Sequence, residues 1–294
     1  MSQNKKATTR FRELIARRQL TMIPSVGDAF SARLIAHEGF DALMSSGNAA
    51  SAMRLGMPDV GVMTLAENAQ NAGLMAQASG LPVFADADTG YGNALNVRRT
   101  IMEFERAGVA AVMIEDQVSP KRCAMLAGKR VISCAEMEGK VKAALDARTD
   151  DDFVICARTD ARAVEGLTAA IKRAEAYQRA GADVIFVEGP KTIEEAEEIA
   201  RAIDAPLLYN ITPTGSVPPL DVATLERIGF RLLSCSVYML LAALPSMRNF
   251  LRVLKESGDV AKAGAGAASM NEYLEILRLE DWQEREARFT PTSD

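Results

Sequence analysis

The sequence is poor in the residues that several common chemistries require. Its 294 residues include one histidine, His37, and four cysteines that form no CxxC pair, which argues against a zinc site. Because His37 lies in the helical pattern SARLIAHEGF, we expect it to be structural. Acid–base chemistry in this chain must therefore depend on carboxylates, tyrosine, lysine or cysteine.

Other absences limit the partners and the location of the protein. The net charge is −5 and no basic stripe is present, so we expect no nucleic-acid partner. No apolar run approaches the roughly 18 to 20 residues of a membrane span, so no membrane partner is expected either. The first twenty residues lack the apolar core of a secretory signal, which favours a cytoplasmic location.

What the chain does have is a repeated pattern of helix and strand. Helix-ending glycines precede four short apolar runs, at Gly39, Gly108, Gly181 and Gly229, and four further runs bring the predicted strands to eight. Ala-rich helical segments separate most of them, so the pattern predicts a (β/α)8 barrel. A doubly wound open sheet is the alternative, but it lacks a GxGxxG fingerprint.

The barrel prediction leads to a single domain over residues 1–294, with extra C-terminal helices from about 244. No linker rich in Pro, Gly or Ser interrupts the chain. The late segment MNEYLEILRLEDWQEREARF has the pattern of one amphipathic helix outside the barrel. We expect this helix to be available for subunit contacts.

Acidic residues follow the third predicted strand in the stretch VFADADTGYGN. Asp86 and Asp88 are two positions apart, so both point to the same side if the strand stays extended. With Glu115 from the next strand they would surround a hard divalent cation, of which Mg2+ is the expected one. The alternative is that these acids cap helices or satisfy turns. Asp116 follows Glu115 and should face away, as a structural partner.

Polar residues also end the later strands of the predicted barrel. Arg158 is predicted to be an unpaired cation that could form a bidentate contact with a substrate carboxylate or phosphonate. The alternative is an ion pair with Glu188, which could serve structure and reaction together. Asn210 and Thr212 could donate hydrogen bonds to a carboxylate, or could cap turns instead.

Five motifs, in this order and spacing, resemble the isocitrate lyase/phosphoenolpyruvate mutase superfamily, over about residues 10–255. They are DADTGYGN, IEDQVSPKRC, ARTDA, FVEGP and NIT. The methylisocitrate lyase-like members are the most similar. The resemblance implies a Mg2+-dependent (β/α)8 enzyme, with Mn2+ as a substitute, that handles 2-oxo acid enolates. It also implies a dimer of dimers that exchanges a C-terminal helix.

The resemblance assigns roles to individual residues. Asp86 would bind the metal, Asp88 and Glu115 would bind its waters, and Asp59 would belong to the same shell. Ser46, Gly47, Asn48 and Arg158 would bind the substrate, and Asn210 and Thr212 at the strand ends complete the expected substrate-binding set. Cys123 would be catalytic, and Arg158 and Glu188 complete the expected catalytic set.

Cys123 is the candidate general acid or base, because it matches the cysteine of the family loop KRCGH. Lys121 and Arg122 precede it, and adjacent cations favour a thiolate. The alternative is an ordinary exposed loop thiol. Cys156 and Cys235 lie in apolar runs and should be buried and inert.

Three departures from the family pattern concern the distal end of the substrate. The loop reads Lys121-Arg122-Cys123-Ala124-Met125, without the family Gly and His. Met44 replaces a tyrosine two residues before Ser46, and Pro213 stands where the strand-seven run has a glutamate. A methionine in place of histidine should favour a less charged or more apolar distal group.

The first functional hypothesis is a carbon–carbon lyase that acts on a 2-hydroxy di- or tricarboxylate of the methylisocitrate or substituted-malate type and releases a 2-oxo acid. The alternatives are a phosphonate P–C mutase or hydrolase and an oxaloacetate decarboxylase or hydrolase. The KRC sequence argues against the mutase. A metal-dependent binding protein without catalysis is the alternative from another class.

Overall fold

All eight predicted strands are present in the computed structural model, which describes residues 5–123 and 126–290. The strands are β1 Thr21–Val26, β2 Leu43–Ser45, β3 Val83–Asp86, β4 Ala111–Glu115, β5 Val154–Thr159, β6 Val184–Val187, β7 Leu208–Ile211 and β8 Leu232–Cys235. Nearly every residue in them is buried, as expected for parallel strands with side chains packed on both faces.

The strands form one parallel sheet that closes on itself. Their order is β6-β5-β4-β3-β2-β1-β8-β7, and a parallel bridge between Ile185 and Leu207 joins the two ends of this order. With helices between the strands, this is the predicted (β/α)8 barrel, and the open-sheet alternative is wrong. All carboxyl ends of the strands therefore meet at one end of the barrel, where such enzymes carry their active sites.

Helices precede, separate and follow the strands. They are α1 Ala7–Ala16, α2 Ala29–His37, α3 Gly47–Ala50, a π-helix Ser51–Leu55, α4 Leu65–Ser79, α5 Ala94–Ala107, α6 Cys134–Ala147, α7 Ala161–Val164, α8 Leu167–Arg179, α9 Ile193–Ala202, α10 Val222–Ile228, α11 Tyr238–Ser257, α12 Val260–Ala263, α13 Met270–Ile276 and α14 Leu279–Phe289. Local chemistry sets their ends: the Asn93 side chain accepts hydrogen bonds from the first turn of α5, and Gly108 ends that helix at φ 83°.

The barrel interior is apolar below the strand ends. Inward-facing side chains from the strands, such as Ile23, Phe84 and Leu232, form one buried cluster with residues of α1. Phe11 of α1 packs against Phe84 with ring centroids 5.8 Å apart. Helix α1 therefore covers the amino-terminal end of the barrel, and the polar chemistry is confined to the opposite end.

The chain divides into two compact units, Met1–Tyr238 and Met239–Asp294. In the second unit, the segment predicted as a single helix forms α13 and α14, which Arg278 separates with a left-handed φ of 57°. The prediction of one continuous helix was wrong. The single-domain assignment, the exchanged helix and the dimer of dimers stay predictions. Over the described residues, no helix combines the length and apolar character that crossing a membrane requires.

Candidate active site

The predicted site residues converge on one small cavity at the carboxyl ends of the strands. The cavity measures about 30 Å³. Its lining includes nine of the predicted residues, namely Ser46, Asn48, Asp59, Asp86, Glu115, Cys123, Arg158, Asn210 and Thr212. The other three predicted residues, Gly47, Asp88 and Glu188, lie directly behind these side chains. The residues named from the sequence therefore lie together at one end of the barrel, and their roles stay predictions.

Asp86 and Asp88 come together by a different route from the one predicted. Strand β3 ends at Asp86, and Asp88 adopts a left-handed φ of 49° instead of continuing the strand. The Asp88 N–H donates to Asp86 Oδ1 at 3.0 Å, so the pair is joined by a tight turn. The predicted extended strand through Asp88 was wrong, because the backbone turns between the two acids.

Gly47 brings the loop after β2 against the Asp86 carboxylate. Its N–H donates to Asp86 Oδ2 at 3.3 Å. A Cβ added at Gly47 would lie 2.9 Å from the same oxygen, so only glycine allows this approach. Ser46, its neighbour, caps α3 by accepting a hydrogen bond from the Ala49 N–H.

Lys121 takes a position that the sequence did not indicate. Its ammonium lies 2.6 Å from Asp59 Oδ1 and 2.8 Å from Asp88 Oδ1, with only 4% of the side chain exposed. The sequence suggested Lys121 as a charge that activates Cys123, whereas the structure places its charge among the carboxylates. Burial, opposed by Lys121 and reinforced by the other acids, raises the pKa of Asp88 to about 6.

The acidic residues have the donor chemistry of a hard divalent cation. Among the described residues no group of three His, Cys, Asp or Glu side chains is arranged to hold a metal ion as it stands, and Lys121 holds two of the four acids. However, the buried Glu115 Oε1 has no hydrogen-bond partner in the described chain. Burial also raises the pKa of Glu115 well above its usual value. Carboxylate oxygens with charge still to be compensated fit Mg2+ or Mn2+.

Arg158 is not the lone cation that the sequence suggested. Its Nε and Nη2 donate to Asp160 at 2.9 and 3.0 Å, and Nη1 lies 3.2 Å from Glu115 Oε2. The guanidinium also lies over the Phe186 ring, 5.4 Å from its centroid. Asp160 was the missed partner, although its position two residues after Arg158 in ARTDA was the available signal.

Glu188 faces this guanidinium without a full hydrogen bond to it. The two side chains are 3.8 Å apart at Glu188 Oε2, which has no hydrogen-bond partner in the described part of the chain. Burial raises the pKa of Glu188, and Arg158 opposes this effect. A buried carboxylate with an unsatisfied oxygen accepts a proton more readily than a surface glutamate does.

Asp116 belongs to the supporting structure, as predicted. Its carboxylate accepts hydrogen bonds from the Thr159 hydroxyl, the Asp160 N–H and the Tyr177 hydroxyl, at 2.7 to 2.9 Å. None of its surface is exposed. This network fixes the end of β5, from which Arg158 and Asp160 extend.

Cys123 is a buried residue at the cavity, which excludes the alternative of an exposed loop thiol. Asn48 Nδ2 donates to its sulfur at 3.1 Å, and its own N–H donates to the Asp59 carbonyl at 3.2 Å. The departures at Ala124 and Met125 lie outside the described residues. Cys156 is fully buried, which raises the pKa of its thiol and confirms its structural assignment.

Asn210 is oriented by two serines of the neighbouring strand and its end. Its Oδ1 accepts hydrogen bonds from Ser234 and Ser236 at 2.7 and 2.9 Å. This leaves the Asn210 amide nitrogen as the donor, and its hydrogen bond to Glu188 opposes the effect of burial on the pKa of that carboxyl. The Thr212 hydroxyl lies 3.0 Å from the Thr214 hydroxyl, and Tyr238 donates to the Thr212 carbonyl at 3.4 Å.

Comparison with known families and proteins agrees with this geometry. The family model described as phosphoenolpyruvate phosphomutase matches residues 11–255, and the chain belongs to this family. It is 39% identical to 2,3-dimethylmalate lyase of Eubacterium barkeri over 95% of this chain and 97% of the relative. It is 41% identical to 2-methylisocitrate lyase of Aeropyrum pernix over 94% of this chain and 89% of that one.

Solved structures show the same fold. Oxaloacetate acetylhydrolase in complex with 3,3-difluorooxalacetate has a TM-score of 0.92 and 33% identity, over 98% of this chain and 99% of that chain. Phosphonopyruvate hydrolase in complex with oxalate and Mg2+ has a TM-score of 0.87 and 27% identity, over 97% and 99%. The chain is thus a member of the phosphoenolpyruvate mutase/isocitrate lyase superfamily. Several of the proteins similar to it are named lyases.

Proposed function

We propose that the protein is a Mg2+-dependent carbon–carbon lyase that cleaves an alkyl-substituted malate and releases a 2-oxo acid. The observation that carries the proposal is the composition of the cavity, whose lining brings Asp86 and Glu115 together with Cys123. The names of the lyase relatives support the reaction class.

The charges around the cavity favour a dicarboxylate over a tricarboxylate. Its described lining carries two cations, Lys121 and Arg158, and carboxylates of the protein pair with both. A third substrate carboxylate would enter this acidic surrounding without a cation of its own, which is expensive in a buried site. Within the range of expected substrates, this favours the malate type.

The apolar part of the lining favours an alkyl substituent. Met44, Met113 and Phe186 are buried side chains on β2, β4 and β6 that reach the cavity from below. A buried methylene against such a surface contributes about 0.8 kcal/mol. Methionine adapts its shape to the group that it contacts.

In the proposed reaction, Asp59, Asp86, Asp88 and Glu115 would hold the divalent cation. When bound, the cation supplies positive charge that stabilises the developing negative charge on the substrate's 2-oxygen. Glu188 accepts the proton of the 2-hydroxyl group, and the C2–C3 bond breaks as C2 becomes a carbonyl. The electron pair of that bond stays on C3, where the Cys123 thiol donates the proton that completes the second product.

Access to the site requires the segment that carries Lys121 and Cys123 to move. A cavity of about 30 Å³ has room for about two water molecules, which is less than a dicarboxylate needs. Lys121 and Cys123 are both tied to Asp59, the ammonium through the side chain and Cys123 through the backbone. Closure after substrate entry would then bring the proton donor into place and exclude water.

A second candidate is hydrolysis or decarboxylation of oxaloacetate. It is favoured by the close structural match to an oxaloacetate acetylhydrolase. The same cavity would hold the substrate: in the hydrolysis, water would add to the C2 carbonyl, the C2–C3 bond would break, and C3 would take a proton and leave as acetate. The two candidates differ in substrate and product, so one assay separates them.

The test is a 2-oxo acid release assay with Mg2+ on 2,3-dimethylmalate, 2-methylisocitrate, oxaloacetate and phosphonopyruvate, with oxalate and acetate measured in parallel. Pyruvate release from 2,3-dimethylmalate that a chelator abolishes is the expected result. Oxalate and acetate from oxaloacetate alone would establish the second candidate. Release from phosphonopyruvate alone would move the protein to phosphonate chemistry. No turnover of any substrate would contradict the lyase.

A further inference from the structure

In the turn from Asp86 to Gly90, here called the acidic turn, every backbone carbonyl accepts a hydrogen bond. The donors to these five carbonyls, in order, are Asn68 Nδ2 at 2.7 Å, Gly90 N at 2.9 Å, Glu115 N at 2.9 Å, Lys140 Nζ at 3.0 Å and Thr100 Oγ1 at 3.1 Å. Three of these donors are side chains of the surrounding helices α4, α5 and α6. The acidic turn is thus far more constrained than an ordinary loop.

Lys140 is the charged member of this set of donors, and it is buried. Only 3% of its surface is exposed, and its ammonium donates to the Thr89 carbonyl from the middle of α6. Removing an ammonium from water is costly, and a neutral donor would satisfy a single carbonyl at lower cost. Burial lowers the pKa of Lys140, and the charges of Glu136 and Asp116 oppose this effect.

We propose that Lys140 is a positioning residue for the divalent-cation site. Its ammonium holds the Thr89 carbonyl and thereby keeps Asp88 in its left-handed conformation, with the Asp88 carboxylate turned toward Asp86 and Asp59. It acts through the backbone and touches neither the substrate nor the acids. The inference rests on the metal-binding part of the proposed function and on no particular substrate.

The geometry supports this role in two ways. Asp88 at φ 49° is in a region that costs free energy for a residue with a side chain, so neighbouring contacts must maintain it. The contact from Lys140 falls on the residue directly after Asp88, while Glu115 N holds the Asp88 carbonyl itself. Loss of one contact from an over-determined turn should shift a carboxylate without unfolding the barrel.

The test measures Mn2+ affinity of the full-length, metal-free protein by electron paramagnetic resonance, with thermal unfolding recorded alongside. Lys140→Met removes the donor and the charge, Lys140→Arg keeps both, and Lys142→Met is the matched control at an exposed lysine of the same helix. Lys140→Met should raise the Kd for Mn2+ about 10- to 100-fold, the usual range for partners behind a ligand. Lys140→Arg should recover most of the affinity, and Lys142→Met should match the wild type.

A lower unfolding temperature for Lys140→Met with an unchanged Kd would overturn the proposal and leave Lys140 a structural residue. If that variant does not fold, Lys140→Gln takes its place under the same criterion. Failure of the wild type to bind Mn2+ would instead overturn the metal-binding part of the proposed function. Failure of the lyase assay with normal Mn2+ binding would leave the role of Lys140 intact.

Discussion

The two sides of the cavity are built in different ways. The carboxylate side, formed by the ends of β3, β4 and β5, is held by backbone hydrogen bonds and buried ion pairs, as at Asp86, Glu115 and Arg158. The loop side carries Cys123, whose sulfur accepts from Asn48, and Thr212, whose hydroxyl lies near another threonine. Strand ends therefore fix the side-chain positions on the carboxylate side, and loops fix those on the loop side.

This difference matches a division of labour in the proposed reaction. In that reaction the carboxylate side would stabilise charge on the 2-oxo acid unit, a task that needs fixed geometry. The loop side would contact the rest of the substrate, and it would have to open to admit that substrate. Departures from the family pattern are accordingly concentrated on the loop side and at Met44. Four substitutions test this division.

The largest effect is expected for Asp86→Asn on the carboxylate side. The amide keeps the size of the side chain but removes the charge, so turnover should fall by about three to four orders of magnitude. Mn2+ affinity measured by titration should fall with it. An Asp86→Asn variant that binds Mn2+ as tightly as the wild type would remove this acid from the metal site.

Cys123→Ser tests the loop side in isolation. Loss of the thiol should lower kcat by about 10²- to 10³-fold, since a hydroxyl is a weaker acid, while Mn2+ affinity stays unchanged. The partly exposed Cys134 provides the control, because Cys134→Ser should keep full activity. Wild-type kcat in Cys123→Ser would show that another group protonates the leaving carbon.

Gly47→Ala tests the place where the loop after β2 meets the carboxylate side. The new methyl group would lie 2.9 Å from Asp86 Oδ2 and must displace that carboxylate, so Mn2+ affinity should fall about tenfold. Gly139→Ala is the control, because a Cβ there meets no atom within 4 Å. This control should bind Mn2+ normally and gain about 0.5 to 1 kcal/mol of stability in chemical denaturation. Equal affinities in both variants would contradict the close approach.

The smallest effect is expected for Met44→Tyr. A larger, polar side chain should crowd an alkyl substituent, so the preference in kcat/KM for 2,3-dimethylmalate over malate should shrink about 5- to 10-fold. Mn2+ affinity should not change. A preference that stays constant would place the alkyl group elsewhere in the cavity.

Much of this architecture could be predicted from the sequence. Strands and their glycine stops have strong local signals, so all eight strands were found, and the barrel follows from their number and alternation. Because parallel strands place their carboxyl ends together, Asp86, Glu115 and Arg158 could be assigned to one site without any knowledge of contacts.

The features that could not be predicted depend on tertiary contacts or on backbone turns. Nothing local distinguishes Lys121, which pairs with Asp59 and Asp88, from an exposed loop lysine. The same is true of Lys140, whose burial depends on how α6 packs against the acidic turn. Asp88 adopts a left-handed conformation and ends the predicted strand early, and Arg278 does the same in the predicted C-terminal helix. The hydrophobic pattern around these two residues does not indicate either change.

The most direct test of the central claim is pyruvate release from 2,3-dimethylmalate by the wild-type protein with Mg2+, after chelation, and after Mg2+ is restored. We expect chelation to abolish release and restored Mg2+ to recover it. Release that continues unchanged in the chelator, or no release at any stage from a folded protein that binds Mn2+, would contradict it.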